Sequence, residues 1–126
     1  MKTVQKQEPN SSELVKVVIE GMQEKKGRDI VTLNMKNLDN AVCDYFVICH
    51  GTSTVQVEAI ADSVEETVKK QTNSKAFHVE GRENAEWILL DYFDVVVHVF
   101  VENMRSFYQL EDVWADAEKD EIEENY

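Results

Sequence analysis

The chain is poor in positive charge. Lysine and arginine number 13 against 25 aspartates and glutamates, for a net charge of −12. Nonspecific nucleic-acid binding rests on basic side chains that neutralise phosphates, so the balance argues against it. An acidic surface favours solubility and steers toward basic partners. Part of the excess sits at one end. Six acids against Lys119 give residues 116–126 a charge of −5 and leave −7 for the body.

Glycine is also scarce, with four residues in all. Neither the phosphate-loop pattern nor the dinucleotide-binding glycine pattern is present. Cysteine is limited to Cys43 and Cys49, with no Cys-x-x-Cys and no histidine pair at helical spacing, so zinc-type sites are not indicated. If both cysteines belonged to one strand they would share a face about 20 Å apart, too far for a disulfide. The expectation is two buried free thiols. No apolar run approaches the roughly 18 residues that span a bilayer. Met1 to Asn10 is polar and lacks the apolar stretch of a secretory signal, so the chain is expected in the cytoplasm.

What is present suits one globular α/β (α+β) domain. The chain has 126 residues, 43% hydrophobic and 30% charged, enough to bury a core unaided. Asn10 to Lys26 reads as a helix. Asn10 and Glu13 have capping-box spacing, Leu14, Val15, Val18, Ile19 and Met22 recur at helical intervals, and Gly27 is a plausible stop. Asp29 to Met35 alternates like a strand with one buried face. Asp44 to His50 is apolar on both faces, as a central strand is. Ser53 and Gln56 open a second helix that should end near Lys70. Strands follow at Ala76 to Val79, Glu86 to Leu90 and Val95 to Val101, with Asp91 to Asp94 as a tight link. Arg105 to Trp114 reads as one or two short helical turns. The expected architecture is a mixed sheet of about five strands flanked by helices. The domain is expected over 10–117, with 118–126 as an acidic, disordered tail.

Catalytic arrangements are hard to build from these residues. Gly51-Thr52-Ser53, between a strand and a helix, superficially matches the glycine-serine element of nucleotidyltransferases. That chemistry also needs two carboxylates one residue apart on a strand to hold metal ions. No such pair lies on the strands that follow, and a turn with a helix cap explains the three residues. His50 adjoins Cys49, but neighbouring strand residues face opposite ways, so the pair is no nucleophile and base. The reading is no enzyme, no cofactor and no metal.

Trp87, Asp91, Asp94, His98, Arg105, Tyr108, Glu111 and Trp114 combine aromatic groups with charge in a short stretch. Tryptophan, tyrosine and arginine are frequent anchors at interfaces. If Asp91 and Asp94 sit at one sheet end, they can present carboxylates beside an aromatic platform. The pattern leaves open whether Trp87, Tyr108 and Trp114 face a partner or fill the core.

At these residues the sequence resembles the ribosomal silencing factors, the iojap family. The matching stretches are Asp44 to Ser53 (DYFVICHGTS), Gln56 to Asp62 (QVEAIAD), Glu80-Gly81, Trp87 to Asp91 (WILLD), Asp94 to Phe100 (DVVVHVF) and Arg105 to Trp114 (RSFYQLEDVW). They run in the family's order from about Ser12 to Ala117. Phe93 departs from the pattern, standing where the family usually has glycine. The long acidic tail is outside the family core. The resemblance implies a nucleotidyltransferase-like fold without the active site. It implies docking on the large ribosomal subunit through its basic subunit-interface protein numbered fourteen, which would block joining of the small subunit and repress translation when nutrients are scarce. The residues it implies for that contact are Trp87, Asp91, Asp94, His98, Tyr108, Leu110, Glu111 and Trp114. Free nucleic acid and membranes are not expected partners. Two other readings are a homodimeric ribosome-assembly factor, with a homodimer off the ribosome, and a nucleotidyltransferase-like enzyme with an unusual metal site.

Overall fold

The first helix, α1 (Ser11–Glu24), begins with the reciprocal cap its sequence predicts. The Asn10 side chain accepts the Glu13 N–H at 2.8 Å, and the Glu13 carboxylate accepts the Asn10 N–H in return. Two donors that no helical turn can reach are thereby satisfied. The helix ends differently from expectation. Lys26 takes the left-handed conformation, with φ 60°. Gly27 is there for room, since a Cβ would stand 3.1 Å from Cys49 Sγ and 3.2 Å from the Met22 carbonyl. The structure, a computed structural model, describes residues 10–126, and within them all side chains but those of Phe107 and Tyr108. Met1 to Pro9, whose polarity bears on a secretory signal, lie outside the described residues.

After α1 come β1 (Arg28–Asn34), β2 (Tyr45–Gly51), α2 (Thr54–Thr72), β3 (His78–Glu80), β4 (Trp87–Asp91), β5 (Val95–Val101), α3 (Glu102–Tyr108), α4 (Leu110–Val113) and β6 (Glu118–Glu121). Ser53 caps α2 by accepting the Gln56 N–H at 3.1 Å. The Gln56 side chain does not complete a capping box. It accepts the Thr52 N–H and donates to the carbonyls of Lys25 and Lys26, tying the start of α2 to the end of α1. The helix continues two residues past Lys70 and stops at Asn73, whose φ is 62°.

Among the described residues the strands form one six-stranded sheet in the order β3-β4-β5-β2-β1-β6. The central pair, β2 and β5, is parallel, and the other pairings are antiparallel. Strand alternation sends Val47, Cys49, Ile88, Leu90, Val97 and Val99 to one face, where α1 and α2 cover them. Full burial of each such side chain contributes about 1.5–3 kcal/mol. The two helices lie close because Gly21 meets Val64: a Cβ there would stand 2.8 Å from Val64 Cα. Ser63 Oγ donates to the Gly21 carbonyl at 2.7 Å across the same contact. The opposite face carries Val31, Leu33, Phe46, Ile48, Val96 and Phe100, with Leu110, Trp114 and the β1–β2 connection packed over part of it.

Two expectations are corrected. The sheet has six strands rather than about five, because the acidic stretch expected to be a disordered tail pairs with β1, from Val31↔Glu121 to Asn34↔Glu118. No side chain of β6 is buried. Backbone pairing holds it, together with the Glu124 carboxylate on Arg28 and on the Asp29 N–H, and the Tyr126 hydroxyl on the Gly27 carbonyl. The two cysteines are free but do not share a face. Cys43 precedes β2 and is half-buried on the aromatic side, while Cys49 is fully buried under the helices. Burial pushes their thiols up to about 11 and about 12 respectively.

Candidate functional site

Trp87, Leu89 and Asp91 alternate along β4 toward the face opposite α1 and α2, and all three are half-buried. Their cross-strand neighbours on β5 are Phe100, His98 and Val96. The indole of Trp87 stacks on Phe100 with centroids 5.0 Å apart. Its N–H donates to His98 Nδ1 at 3.1 Å. His98 is 3% exposed, and desolvation pushes its pKa down to about 3. The ring is therefore neutral, with Nδ1 as acceptor and its proton on Nε2. Phe46 meets His98 edge-on at 4.5 Å, and Trp114 meets Phe46 edge-on at 6.0 Å. An aromatic row thus crosses β4, β5 and β2 and ends under α4. Of the three aromatics left open between partner and core, Trp87 and Trp114 are half-buried on this face, and the Tyr108 side chain lies outside the described residues. His98, implied as a contact residue, is buried in the core.

Asp91 and Asp94 do sit at one sheet end. The Asp91 carboxylate accepts the Phe93 N–H at 2.8 Å. The Asp94 side chain is exposed, and its carbonyl accepts the N–H groups of Asp44 and Tyr45. The aromatic platform beside them is not Trp87, which lies at the other end of β4, about 13 Å away at the usual rise. It is Phe93 itself, in contact with Phe77 at 5.3 Å. Sequence reasoning singled out Phe93 but missed Phe77 and Leu89. Phe77 was visible only as a large apolar residue in the polar stretch before β3.

The remaining residues hold the sheet's other end together. Arg105 forks onto the Glu111 carboxylate, with Nη2 to Oε2 at 3.0 Å. Its Nη1 donates to the Asp29 carbonyl at 2.7 Å and to His50 Nδ1 at 3.0 Å. Asp29 occupies a bulge in β1 with φ 48°, so Arg105 pins an irregular strand. Glu111 is therefore engaged inside the molecule. Gln109, at φ 49°, turns the chain from α3 into α4 and brings Glu111 back to Arg105. Leu110 is half-buried against the aromatic face. Tyr108 ends α3, and its side chain lies outside the described residues.

Beside Arg105 a cleft of about 720 Å³ opens between β1, β6 and the α3–α4 corner, lined by His50, Glu102, Asp112, Glu121 and Glu124 among others. Burial first and the Arg105 charge second lower the His50 pKa. Cys49 points to the opposite face, so no thiol and imidazole meet. Among the described residues no three histidine, cysteine or acidic side chains converge to hold a metal ion. Among them, too, no helix is long and apolar enough to cross a membrane.

Together these features define a single-sheet α/β domain with one helix-covered face and one aromatic face rimmed by carboxylates. The chain belongs to the ribosomal silencing factor family: the family model RsfS, "Ribosomal silencing factor during starvation", matches residues 8–126. It is 40% identical over 114 residues to the ribosomal silencing factor RsfS of Halalkalibacterium halodurans, covering 90% of this chain and 96% of the relative. Identity to the Bacillus subtilis RsfS is 40% over 111 residues, 86% of this chain and 90% of that one. A crystal structure of a Chromobacterium violaceum protein, 34% identical, superposes with a TM-score of 0.79 over 85% of this chain and 88% of the other.

Proposed function

We propose that this chain docks on the large ribosomal subunit and keeps the small subunit from joining it, repressing translation in the cytoplasm without catalysing a reaction. The observation that carries the reading is the row Trp87, Leu89 and Asp91 on β4, where a rigid strand holds an aromatic, an aliphatic and an acidic side chain partly in solvent on one face. Membership of a family of silencing factors supports the ribosome as target. The net charge of −12 supports a basic protein of the subunit interface, the one numbered fourteen, rather than bare RNA.

In this reading Trp87, Asp91 and Asp94 touch the partner directly. His98 and Trp114 hold the aromatic row in register beneath them. Leu110 and Glu111 fix the α4 corner, and Tyr108 belongs to the contact through its family motif. An anchor such as Trp87 is pre-ordered by its bond to His98, so little side-chain entropy is lost on docking.

The test is a density gradient of purified subunits. Adding the protein to large subunits before small ones should abolish the joined-ribosome peak and move the protein with the large subunit. Trp87→Ala should weaken that co-migration by about thirtyfold or more if Trp87 is an anchor. A joined-ribosome peak that persists at saturating protein would overturn the reading.

A further inference from the structure

Phe77 and Phe93 lie in ring contact at the sheet end, 5.3 Å apart, and are 75% and 71% exposed. Water-facing aromatic pairs of this kind contribute little to a fold and much to an interface. Phe93 also stands in a conformation that costs a bulky residue, with φ 81°. The Asp91 carboxylate holds it there through the Phe93 N–H. Glycine would make the same turn without strain. Neither the turn nor the core requires a phenyl ring at this position.

Beside Phe93 runs a groove of about 410 Å³ between the β4–β5 turn and the β1–β2 connection. Val42, 73% exposed, forms its other lip. Asp44 and Asp94 line it with carboxylates, and its cation, Lys36, has its ammonium 5.3 Å over the Tyr45 ring. Asp91 adds negative charge nearby, since with Asp44 it raises the Cys43 thiol after burial has done so. Apolar lips with carboxylates between them fit one kind of guest: a lysine or arginine, its aliphatic stem on Val42 and Phe93 and its charge on Asp44 and Asp94. Phosphates of RNA or of an anionic membrane would meet the same carboxylates and be repelled.

We infer that Phe77, Phe93 and Val42, with Asp44 and Asp94, form a second contact that takes a basic side chain from the protein on which the β4 face docks. The inference rests on the docking reading above. It adds a place about 13 Å from Trp87 along the strand, and a partner chemistry for it.

The experiment is quantitative co-sedimentation with purified large subunits, with melting temperature measured for every variant. Phe93→Gly and Phe93→Asn both suit a left-handed φ and remove the ring, so both should melt no lower than the wild type. Both should bind about tenfold more weakly, as should Phe77→Ser. Asp94→Asn should weaken binding at low salt and flatten its salt dependence. If the wild type sediments, Trp87→Ala does not, and both Phe93 variants bind like the wild type, this contact is overturned while the docking reading stands. Weakening by Phe93→Gly but not Phe93→Asn would trace the effect to backbone freedom and overturn it too. A wild type that fails to sediment would overturn the docking reading, and this inference with it.

Discussion

The indole N–H of Trp87 points inward and donates to Nδ1 of buried His98, which joins the most prominent side chain of the aromatic face to the core beneath it. The bond exists only while His98 is neutral, because an imidazolium carries a proton on both nitrogens.

Acid should therefore loosen the molecule before its carboxylates titrate. The folded pKa of His98 is pushed down to about 3 by burial. In the unfolded chain the ring titrates at about 6.5, so the unfolded state takes up the proton first. The contribution of His98 is complete above pH about 6.5 and is lost as pH falls from there toward the folded value, by up to about 1.4 kcal/mol per pH unit. His50, also lowered, acts in the same direction. Urea unfolding at pH 7.5, 6 and 5 should show falling stability, with a shallower slope for His98→Asn, which keeps an acceptor for Trp87 but does not titrate. Equal slopes would remove His98 from the account.

Asp91 has two separable roles. As an acceptor it pins the strained Phe93 N–H at 2.8 Å, and in the docking proposed above its charge faces the partner. Asp91→Ala should cost about 1 kcal/mol of stability. Asp91→Asn keeps the acceptor and should cost little, while slowing association with large subunits at low salt. Equal losses of stability in the two variants would show that charge, not the turn bond, is what the fold uses.

Arg105 carries the corner at the far end of β1 and β2. Its guanidinium serves Glu111, the Asp29 carbonyl and His50 at once, with 11% of the side chain exposed. Arg105→Met leaves a half-buried carboxylate and an unmet carbonyl, and should destabilise by about 2–4 kcal/mol in denaturant melts. Arg105→Lys cannot fork and should recover less than half of that loss. Full rescue by lysine would mean that charge alone matters there.

A chain ending at Ala117 lacks β6, the Glu124 contacts with Arg28 and Asp29, and the Tyr126 bond to Gly27. It should lose about 2 kcal/mol. It should also self-associate through the bared edge of β1, visible as light scattering that rises with concentration. A truncated chain that melts and scatters like the full one would assign β6 no role.

Much of the fold was legible because it is written in local pattern. β2 and β5 are apolar on both faces, and Asn10 with Glu13 spells its cap in four residues. β6 was not legible, since an all-polar strand held by its backbone leaves no alternation to read. Gly27 marks the end of α1 in the sequence, but Lys26 takes the left-handed conformation and the glycine answers a steric need set by Cys49. At the site, the pattern placed Trp87 near the start of a strand and Asp91 and Asp94 in the link after it, as found, but not the aromatic platform that stands beside the two acids. Phe77 has meaning only beside Phe93, and Glu111 only beside Arg105. Both are pairings in space that spacing along the chain does not announce.

The parallel pairing of β2 with β5 joins each residue to the one fifty further along. Closing so long a span costs chain entropy before any bond repays it, so the middle of the sheet forms late. A polypeptide still being synthesised exposes α1, β1, β2 and α2 first, with one edge of β2 unmet. The aromatic row needs β4 and β5 as well as β2, and it comes into being only when most of the chain has left the exit tunnel. A growing copy therefore cannot present this face while its first half is all that has emerged, and docking of the kind proposed above waits for β4 and β5.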